Sequence, residues 1–293
     1  MPKPSARIHL TLTQLTTTDG ETLAGGYVPS RRKWTAVIWL HGLTSSFESG
    51  QILMSQLSRI LPAAGYGYFK FNTRGAHLAD YSRRGKNRMI GSSFEKFHDS
   101  IKDVKAMIRF ARQQGYKRII LIGHSTGASK ALYYQWKTKD PRVKGLILLG
   151  PASDIAGELK KVSKTILFKR LKQALAWAQR NPNRLVPTAW GPWSASRYVS
   201  LFTPGGAEDI FPYHRLGGRW TALRSVRVPI LIVLGERDEY LDRPAADVMD
   251  IFQHQARSTQ AITTKIIPHT GHGFDKQQTQ LASIIRRWLK RYS

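Results

Sequence analysis

Short apolar segments alternate with segments of helical periodicity from residue 34 to the end of this 293-residue sequence. Trp34–Leu40, Val143–Leu149 and Val228–Leu234 have the length and hydrophobicity of strands that are buried on both faces. The last segment repeats apolar residues at helical spacing between Leu281 and Leu289. Buried strands joined by helices predict an α/β fold, in which a mostly parallel sheet is flanked by helices.

Residues 151–227 interrupt this alternation, because no strand–helix rhythm is visible there. We predict an inserted cap over 151–227 and a core formed by 1–150 and 228–293. Ligands bind beyond the carboxyl ends of the strands in such sheets, so a cap at this place would cover the binding site. Within it, residues 159–178 have the pattern of a basic amphipathic helix, which either packs on the domain or rests on an anionic membrane surface.

Two further local patterns predict secondary structure. Ala6–Thr13 and Thr22–Val28 are predicted as N-terminal strands separated by a turn. Ser92 and Glu95 have the spacing of a capping box, which predicts that a helix begins there.

The charge of the chain is strongly unbalanced, since 46 Lys and Arg residues face 19 Asp and Glu residues, a net charge of +27. The basic residues are spread along the whole sequence, and no helix-turn-helix, zinc-finger or RNP pattern occurs. We therefore expect no specific nucleic-acid partner. A weak affinity for polyanions or for an anionic membrane surface is the alternative that the charge leaves open.

The absence of cysteine excludes a disulfide scaffold, a cysteine-ligated metal site and a thiol nucleophile. The histidines and acidic residues lack the spacing of a metal-binding motif, so we expect neither a metal nor a cofactor. The first residues contain no apolar run like that of a signal peptide, and all apolar segments are far shorter than the ~20 residues that span a bilayer. These features predict a soluble, cytoplasmic protein.

A G-x-S-x-G motif at residues 123–127 is the strongest chemical signal in the sequence. It directly follows the predicted strand Arg118–Ile122 and precedes a segment of small residues that should be helical. This strand–turn–helix context is that of a nucleophile elbow, in which a tight turn exposes the serine hydroxyl. Glycines two positions before and after Ser125 keep side chains from colliding in the turn. The pattern predicts Ser125 as a nucleophile.

An activated serine needs a base and a group that orients the base. His272 follows the last predicted strand between two glycines and is the predicted base, with His269 as the second choice. Asp238 follows the strand before it and is the predicted acid. Asp154 is the alternative acid, and its structural interpretation is a helix cap.

An oxyanion hole would use backbone N–H groups, which the sequence can only place. Thr126, the residue after the nucleophile, should supply one. Leu43, or else Thr44, should supply the other, because Gly42 lets that backbone come close to the serine. His41 is interpreted as a structural loop histidine.

Five motifs occur here in the order found in the α/β-hydrolase superfamily, which this chain resembles from about residue 20 to its C-terminus: residues 40–42, 72–75, 123–127, 235–238 and 271–274. The resemblance implies an α/β-hydrolase fold and a serine hydrolase with Ser125 as nucleophile, Asp238 as acid and His272 as base. The elbow motif followed by residues 130–134, together with residues 194–201 and 208–211, also resembles the siderophore-esterase-like branch, which has many uncharacterised members.

The aromatic residues Trp190, Trp193 and Tyr198 are predicted either to line an apolar acyl or aryl pocket or to attach the cap to the sheet. The expected partner is thus a small ester, which a carboxylesterase would cleave through an acyl-enzyme. The same three residues would also suit an acyltransferase, a thioesterase or an amidase. A basic protein that binds polyanions or membranes without catalysis is the alternative of another class.

Overall fold

The computed structural model describes residues 10–85, 88–188 and 191–293. Its centre is an eight-stranded sheet, which confirms the predicted α/β class. The strands in chain order are β1 (Thr11–Thr16), β2 (Thr22–Val28), β3 (Thr35–Leu40), β4 (Tyr66–Phe71), β5 (Arg118–His124), β6 (Val143–Leu149), β7 (Ile230–Gly235) and β8 (Ile262–Ile267). Two further ladders pair Asp80–Tyr81 with Met89–Ile90 and Leu185–Val186 with Trp193–Ser194.

The strands of the main sheet lie in the order β1-β2-β4-β3-β5-β6-β7-β8. β2 pairs antiparallel with both β1 and β4, and the remaining neighbours in this sheet are parallel. The mostly parallel sheet is therefore as predicted. Since β3, β5, β6 and β7 are parallel, the loops after their carboxyl ends meet at one edge of the sheet.

The described part of the chain contains nine α-helices, and none of them is long and apolar enough to cross a membrane. They are α1 (Gln51–Ala63), α2 (Ser100–Gln113), α3 (Thr126–Thr138), α4 (Asp154–Leu159), α5 (Lys164–Arg180), α6 (Ala195–Phe202), α7 (Thr221–Ser225), α8 (Ala245–Gln255) and α9 (Gln278–Tyr292).

The sheet is buried on both faces because successive strand residues point to opposite sides. In β3, Ile38 packs with Leu121 in one apolar cluster, whereas Val37 packs with Ile120 and Trp288 in the cluster on the other face. Burying each such side chain contributes about 1.5–3 kcal/mol to folding. This double burial explains why the central strands are continuous apolar runs in the sequence.

Two local predictions need correction. The predicted strand Ala6–Thr13 is displaced toward the C-terminus, since β1 spans Thr11–Thr16 and residues 6–9 lie outside the described residues. The prediction that a helix begins at the Ser92–Glu95 capping box is wrong, because α2 begins only at Ser100.

The side chains of the supposed capping box are committed to tertiary contacts. Ser92 Oγ donates a hydrogen bond to the carbonyl oxygen of Gly75 at 2.7 Å. Glu95 is buried and forms an ion pair with Lys130 Nζ at 2.6 Å. Neither oxygen is thus available to the first N–H groups of a helix, which a capping box requires.

The apolar side chains of residues 151–227 belong to two different clusters. Helices α4, α5 and α6 share their own cluster of buried apolar side chains, which includes Leu171 and Phe202. Phe211 and Trp220, farther along, belong to the cluster on one face of the main sheet. The division into a core and a cap over 151–227 stays a prediction, and the separately packed part of that segment lies in α4 to α6.

The basic helix predicted over 159–178 begins later than expected. Ser163 Oγ accepts a hydrogen bond from Ile166 N–H at 3.3 Å and caps α5, so the chain before Lys164 is not part of this helix. α5 buries Leu171 but leaves Ile166 exposed. The apolar residues of α5 are therefore only partly buried.

Candidate active site

Ser125 lies in the tight turn between β5 and α3, as the G-x-S-x-G motif predicts. Its backbone has φ 56° and ψ −126°, a conformation that L-residues rarely adopt. Its N–H donates to the carbonyl oxygen of Leu149 at 2.9 Å, which fixes the turn against β6. A strained, tightly held serine at the end of a central strand is the geometry of a nucleophile elbow.

The flanking glycines are required by close backbone contacts. A Cβ atom on Gly123 would lie 2.1 Å from the carbonyl oxygen of Gly127, and one on Gly127 would lie 2.1 Å from that of Leu40. A Cβ on Gly42 would lie 2.9 Å from Ser125 Cβ. The backbone after β3 therefore approaches the serine closely, as the sequence suggested.

His272 is held from one side by Asp238. The Nδ1 atom of the imidazole lies 2.9 Å from Asp238 Oδ2. The other oxygen, Oδ1, accepts a hydrogen bond from Tyr240 N–H at 3.0 Å, which orients the carboxylate. Because a carboxylate accepts, Nδ1 carries the proton and Nε2 is left as the basic nitrogen.

The Nε2 atom of His272 is buried and has no hydrogen-bond partner among the described residues. It lines a cavity of about 210 Å³ that Ser125 also lines. This cavity places a serine hydroxyl and a basic nitrogen around the same space. A group bound there could exchange a proton with either of them.

The alternative base and the alternative acid form no such contact with each other or with His272. His269 is exposed, and its Nδ1 faces Arg237 at 3.3 Å. Asp154 lines the cavity but makes no hydrogen bond to His272. Of the four candidates, only Asp238 and His272 form a carboxylate–imidazole pair.

The loop that carries His272 is held by a glutamate that the sequence analysis passed over. Exposed Glu239 accepts a hydrogen bond from His272 N–H through Oε2 at 3.0 Å. Glu236 holds His269 N–H in the same way at 2.8 Å. The spacing of these acids around Asp238 gave no signal, because the contact depends on how two separate loops meet.

His124, inside the elbow motif, also supports this loop. Its Nε2 lies 2.9 Å from the carbonyl oxygen of His272 and must donate the hydrogen bond, since a carbonyl only accepts. Burial lowers the pKa of His124 to about 4, so the ring stays neutral. Its ring also faces those of Trp39 and Phe274. We describe His124 as a positioning residue.

His41 fixes the loop that approaches Ser125. Its Nδ1 donates to the carbonyl oxygen of Gly42 at 2.9 Å, and its Nε2 accepts from Thr73 N–H at 2.9 Å. Burial lowers its pKa to about 3, so the ring is neutral at physiological pH. These contacts agree with the interpretation of His41 as a structural residue.

The predicted oxyanion-hole residues lie at this place. Leu43 lines the cavity, and Thr126 is the first residue of α3. Within the described parts of the chain, neither of their N–H groups has a hydrogen-bond partner. The N–H of Thr44 is not free, because it donates to Ser92 Oγ at 2.7 Å. Of the two residues considered after β3, Leu43 is the one with a free donor.

A buried charge network connects the α6 region to this loop. Arg197 Nε donates to the carbonyl oxygen of Ser92 at 2.9 Å, and the same guanidinium is paired with Glu208 and lies 3.5 Å from Glu95. Burial opposes ionisation of Glu95, but Lys130 and Arg197 hold its pKa below the ordinary value. The network thereby links α6 to Ser92, whose hydroxyl holds Thr44.

The aromatic residues predicted to line the pocket are only partly placed there. Trp193 lines the cavity, whereas Tyr198 is buried in the α4–α6 cluster with its ring against Phe202. Trp190 lies outside the described residues. The apolar wall also includes residues that the sequence analysis did not single out: Ala152, Gly157, Leu201, Phe202 and Tyr240.

Comparison with known proteins identifies the family of the chain. Residues 5–290 match the family described as Protein of unknown function (DUF1749). No curated protein matches the sequence. The narrower likeness to the siderophore-esterase-like branch stays a prediction.

Several solved structures share the fold at low sequence identity. A soluble variant of monoglyceride lipase from Saccharomyces cerevisiae, in complex with a substrate analogue, has a TM-score of 0.71 at 17% identity, with 100% of each chain covered. Est1E from Butyrivibrio proteoclasticus, bound to ferulic acid, has a TM-score of 0.67 at 19% identity, with 96% of this chain and 99% of that chain covered. An esterase from Pyrococcus furiosus has a TM-score of 0.65 at 18% identity, with 97% and 92% covered. The chain belongs to the DUF1749 family and has the α/β-hydrolase fold.

Proposed function

We propose that this protein is a serine hydrolase that cleaves a carboxylic ester. The observation that carries the proposal is the cavity shared by Ser125, in its strained turn, and the unpartnered Nε2 of His272, whose Nδ1 is held by Asp238. The structures of similar fold include proteins named as esterases and as a monoglyceride lipase, which supports ester bonds as the target.

The proposed mechanism uses each group in turn. His272 Nε2 takes the proton of the Ser125 hydroxyl as its oxygen attacks the ester carbonyl. The N–H groups of Leu43 and Thr126 hold the resulting oxyanion. The alcohol leaves with the proton from His272, and an acyl-enzyme remains on Ser125. Water, deprotonated by His272, then releases the acid and restores the serine.

Asp238 supports both proton transfers without itself becoming protonated. It keeps the proton on Nδ1, so that Nε2 is free to act as base, and it stabilises the imidazolium that forms. The apolar walls around Trp193 and Phe202 would take the apolar acyl or aryl part of the ester.

The first test is labelling with a fluorophosphonate probe, followed by peptide mapping and by turnover of p-nitrophenyl esters of graded chain length. We expect Ser125→Ala to lose the label and to lower kcat at least about 10⁴-fold, because the nucleophile is removed. Ser225→Ala is the matched control, since Ser225 is an exposed serine on α7 that does not line this cavity. It should label like the wild type.

The outcome against the proposal is equally clear. A folded Ser125→Ala protein with turnover within tenfold of the wild type, or a folded wild type that is not labelled at Ser125, would contradict it. Circular dichroism of both proteins establishes the folded state.

A further inference from the structure

Asp154 is a carboxylate on the wall of the candidate active-site cavity that the fold does not use. It follows β6 and begins α4, and it lines the same space as Ser125 and His272. No hydrogen bond or ion pair to it is formed within the described chain. The side chain is half-buried, and much of the surrounding wall is apolar, so the carboxylate loses part of its hydration without a partner in the protein.

The structural roles open to Asp154 are filled by its neighbours. Ser153 Oγ caps α4 by accepting a hydrogen bond from Ala156 N–H at 3.3 Å. Asp238, not Asp154, holds the Nδ1 atom of His272. The guanidinium of Arg197 is paired with Glu208 instead. The oxygens of Asp154 therefore remain available to a molecule in the cavity.

The charge state of Asp154 suits an acceptor. Burial raises its pKa to about 6, and the positive charge of Arg197 opposes the rise. Above that pH the side chain is mainly a carboxylate, which accepts hydrogen bonds with both oxygens.

The position of Asp154 indicates which part of the ester it would meet. Asp154 and His272 both line this cavity of about 210 Å³, so the two side chains border the same small space. In the proposed mechanism His272 delivers its proton to the departing alcohol, which must therefore be on this side of the cavity. The alcohol portion of the substrate, rather than its acyl portion, then faces Asp154.

We propose that Asp154 accepts a hydrogen bond from a hydroxyl group on the alcohol portion of the substrate, so that the enzyme prefers esters of polyhydric alcohols. This inference rests on the proposed ester hydrolysis and names its substrate class. A site that accepts a hydrogen bond discriminates against an analogue that lacks the donor, because the half-buried carboxylate is then left without a partner where an apolar group replaces the hydroxyl.

A hydroxyl fits this site better than an ammonium group. The imidazolium that forms on His272 in the proposed mechanism places a positive charge on the wall of the same cavity as Asp154. The protein as a whole carries a net charge of +27, which repels cations from its surface. A neutral hydroxyl donates the same hydrogen bond without that repulsion.

The test compares two pairs of butyrate esters by titrating the released acid. The first pair is 2-hydroxyethyl and propyl butyrate, in which a hydroxyl replaces a methyl group of similar size. The second is choline butyrate and its neutral isostere, 3,3-dimethylbutyl butyrate. The ratio of kcat/KM within a pair cancels any effect of a substitution on folding or on His272.

We expect the wild type to prefer the hydroxyl ester by about tenfold or more, and Asp154→Asn and Asp154→Ala to lose most of that preference. Asp250→Asn is the matched control, because it removes one exposed carboxylate on α8 and should leave the ratio unchanged.

Each other outcome overturns the inference. A wild-type ratio near one, or a ratio that Asp154→Asn does not change, contradicts a role in selecting the alcohol. Equal losses on both esters assign Asp154 to His272 instead, and a stronger preference within the choline pair assigns it to cations. If the wild type cleaves no ester at all, the proposed function fails, whereas turnover without the preference removes this inference alone.

Discussion

At the residue scale, the site depends on places where a side chain is absent. Gly150 has φ 53°, and a Cβ atom there would lie 2.9 Å from Cε1 and 3.0 Å from Nδ1 of His272. The missing Cβ lets the imidazole ring lie between Asp238 and the cavity. The sequence contains this glycine directly after a predicted strand, but only the folded chain brings it against the ring of a residue more than a hundred positions away.

We expect Gly150→Ala to lower ester turnover and the rate of probe labelling at Ser125 by at least about tenfold. The added methyl group would push the His272 ring away from its place, and small misplacements of catalytic groups have large effects on rate. Gly217→Ala is the control, because Gly217 also has a positive φ, 71°, but nothing lies near its Cβ position.

Both variants place a Cβ atom on a backbone of positive φ, so they should lose similar stability, which unfolding in urea measures. A loss of activity that only Gly150→Ala shows then reports the displacement of the His272 ring. Equal activity of the two variants would show that the ring tolerates the contact.

At the scale of elements, the short connection between α3 and β6 is held by one carboxylate. Asp140 Oδ2 accepts hydrogen bonds from the Tyr134 hydroxyl at 2.6 Å and from Arg142 at 2.6 Å, and Oδ1 accepts from Arg142 N–H at 3.0 Å. Burial opposes ionisation of Asp140, but the hydrogen bonds from Arg142 and Tyr134 hold its pKa below the ordinary value. This contact keeps the C-terminal end of α3 next to the start of β6.

We expect Asp140→Asn to lower the free energy of unfolding at pH 7 by about 1–3 kcal/mol. The folded-state pKa of Asp140 is depressed, so its contribution is present above the unfolded pKa of about 3.9 and is lost as the pH falls through the folded value. The difference between variant and wild type should therefore shrink in acid. Urea unfolding at pH 7, 5 and 3.5 measures this difference in the free energy of unfolding, with Asp250→Asn as control. A difference that is constant with pH would contradict a stabilising role of the Asp140 carboxylate.

The elements themselves were predicted with uneven success, and the errors share a cause. The central strands and α3 are marked by continuous apolar runs and by the elbow motif, which burial on both faces of a sheet requires. The predicted start of α2 was wrong, because Ser92 and Glu95 make tertiary contacts instead of capping a helix. Local patterns fail where a side chain is used by a distant part of the chain.

At the scale of the whole molecule, the charge of +27 acts on stability rather than on the fold. Like charges spread over one compact chain repel each other in the folded state. Salt weakens that repulsion, since the Debye length falls from about 30 Å at 0.01 M to about 8 Å at 0.15 M. The same charge would give any contact with polyanions a strong dependence on salt.

We expect the Tm to rise by a few degrees between 10 and 150 mM sodium chloride, as screening relieves the repulsion. Scanning calorimetry measures the change, and an equal osmolality of sucrose is the control for effects other than screening. A Tm that is flat or falls over this range would show that the ion pairs, which salt also weakens, outweigh the net repulsion.

The sequence by itself determined the α/β class, the mostly parallel sheet and the turn at Ser125, because these follow from patterns between near neighbours in the chain. It also named His272 and Asp238, which the fold brings to 2.9 Å from each other. Only the tertiary structure decided that Asp154 faces the cavity and that Tyr198 does not. Those outcomes depend on how loops from β3, β6 and β7 meet, and contacts between distant segments leave no periodic signal in the sequence.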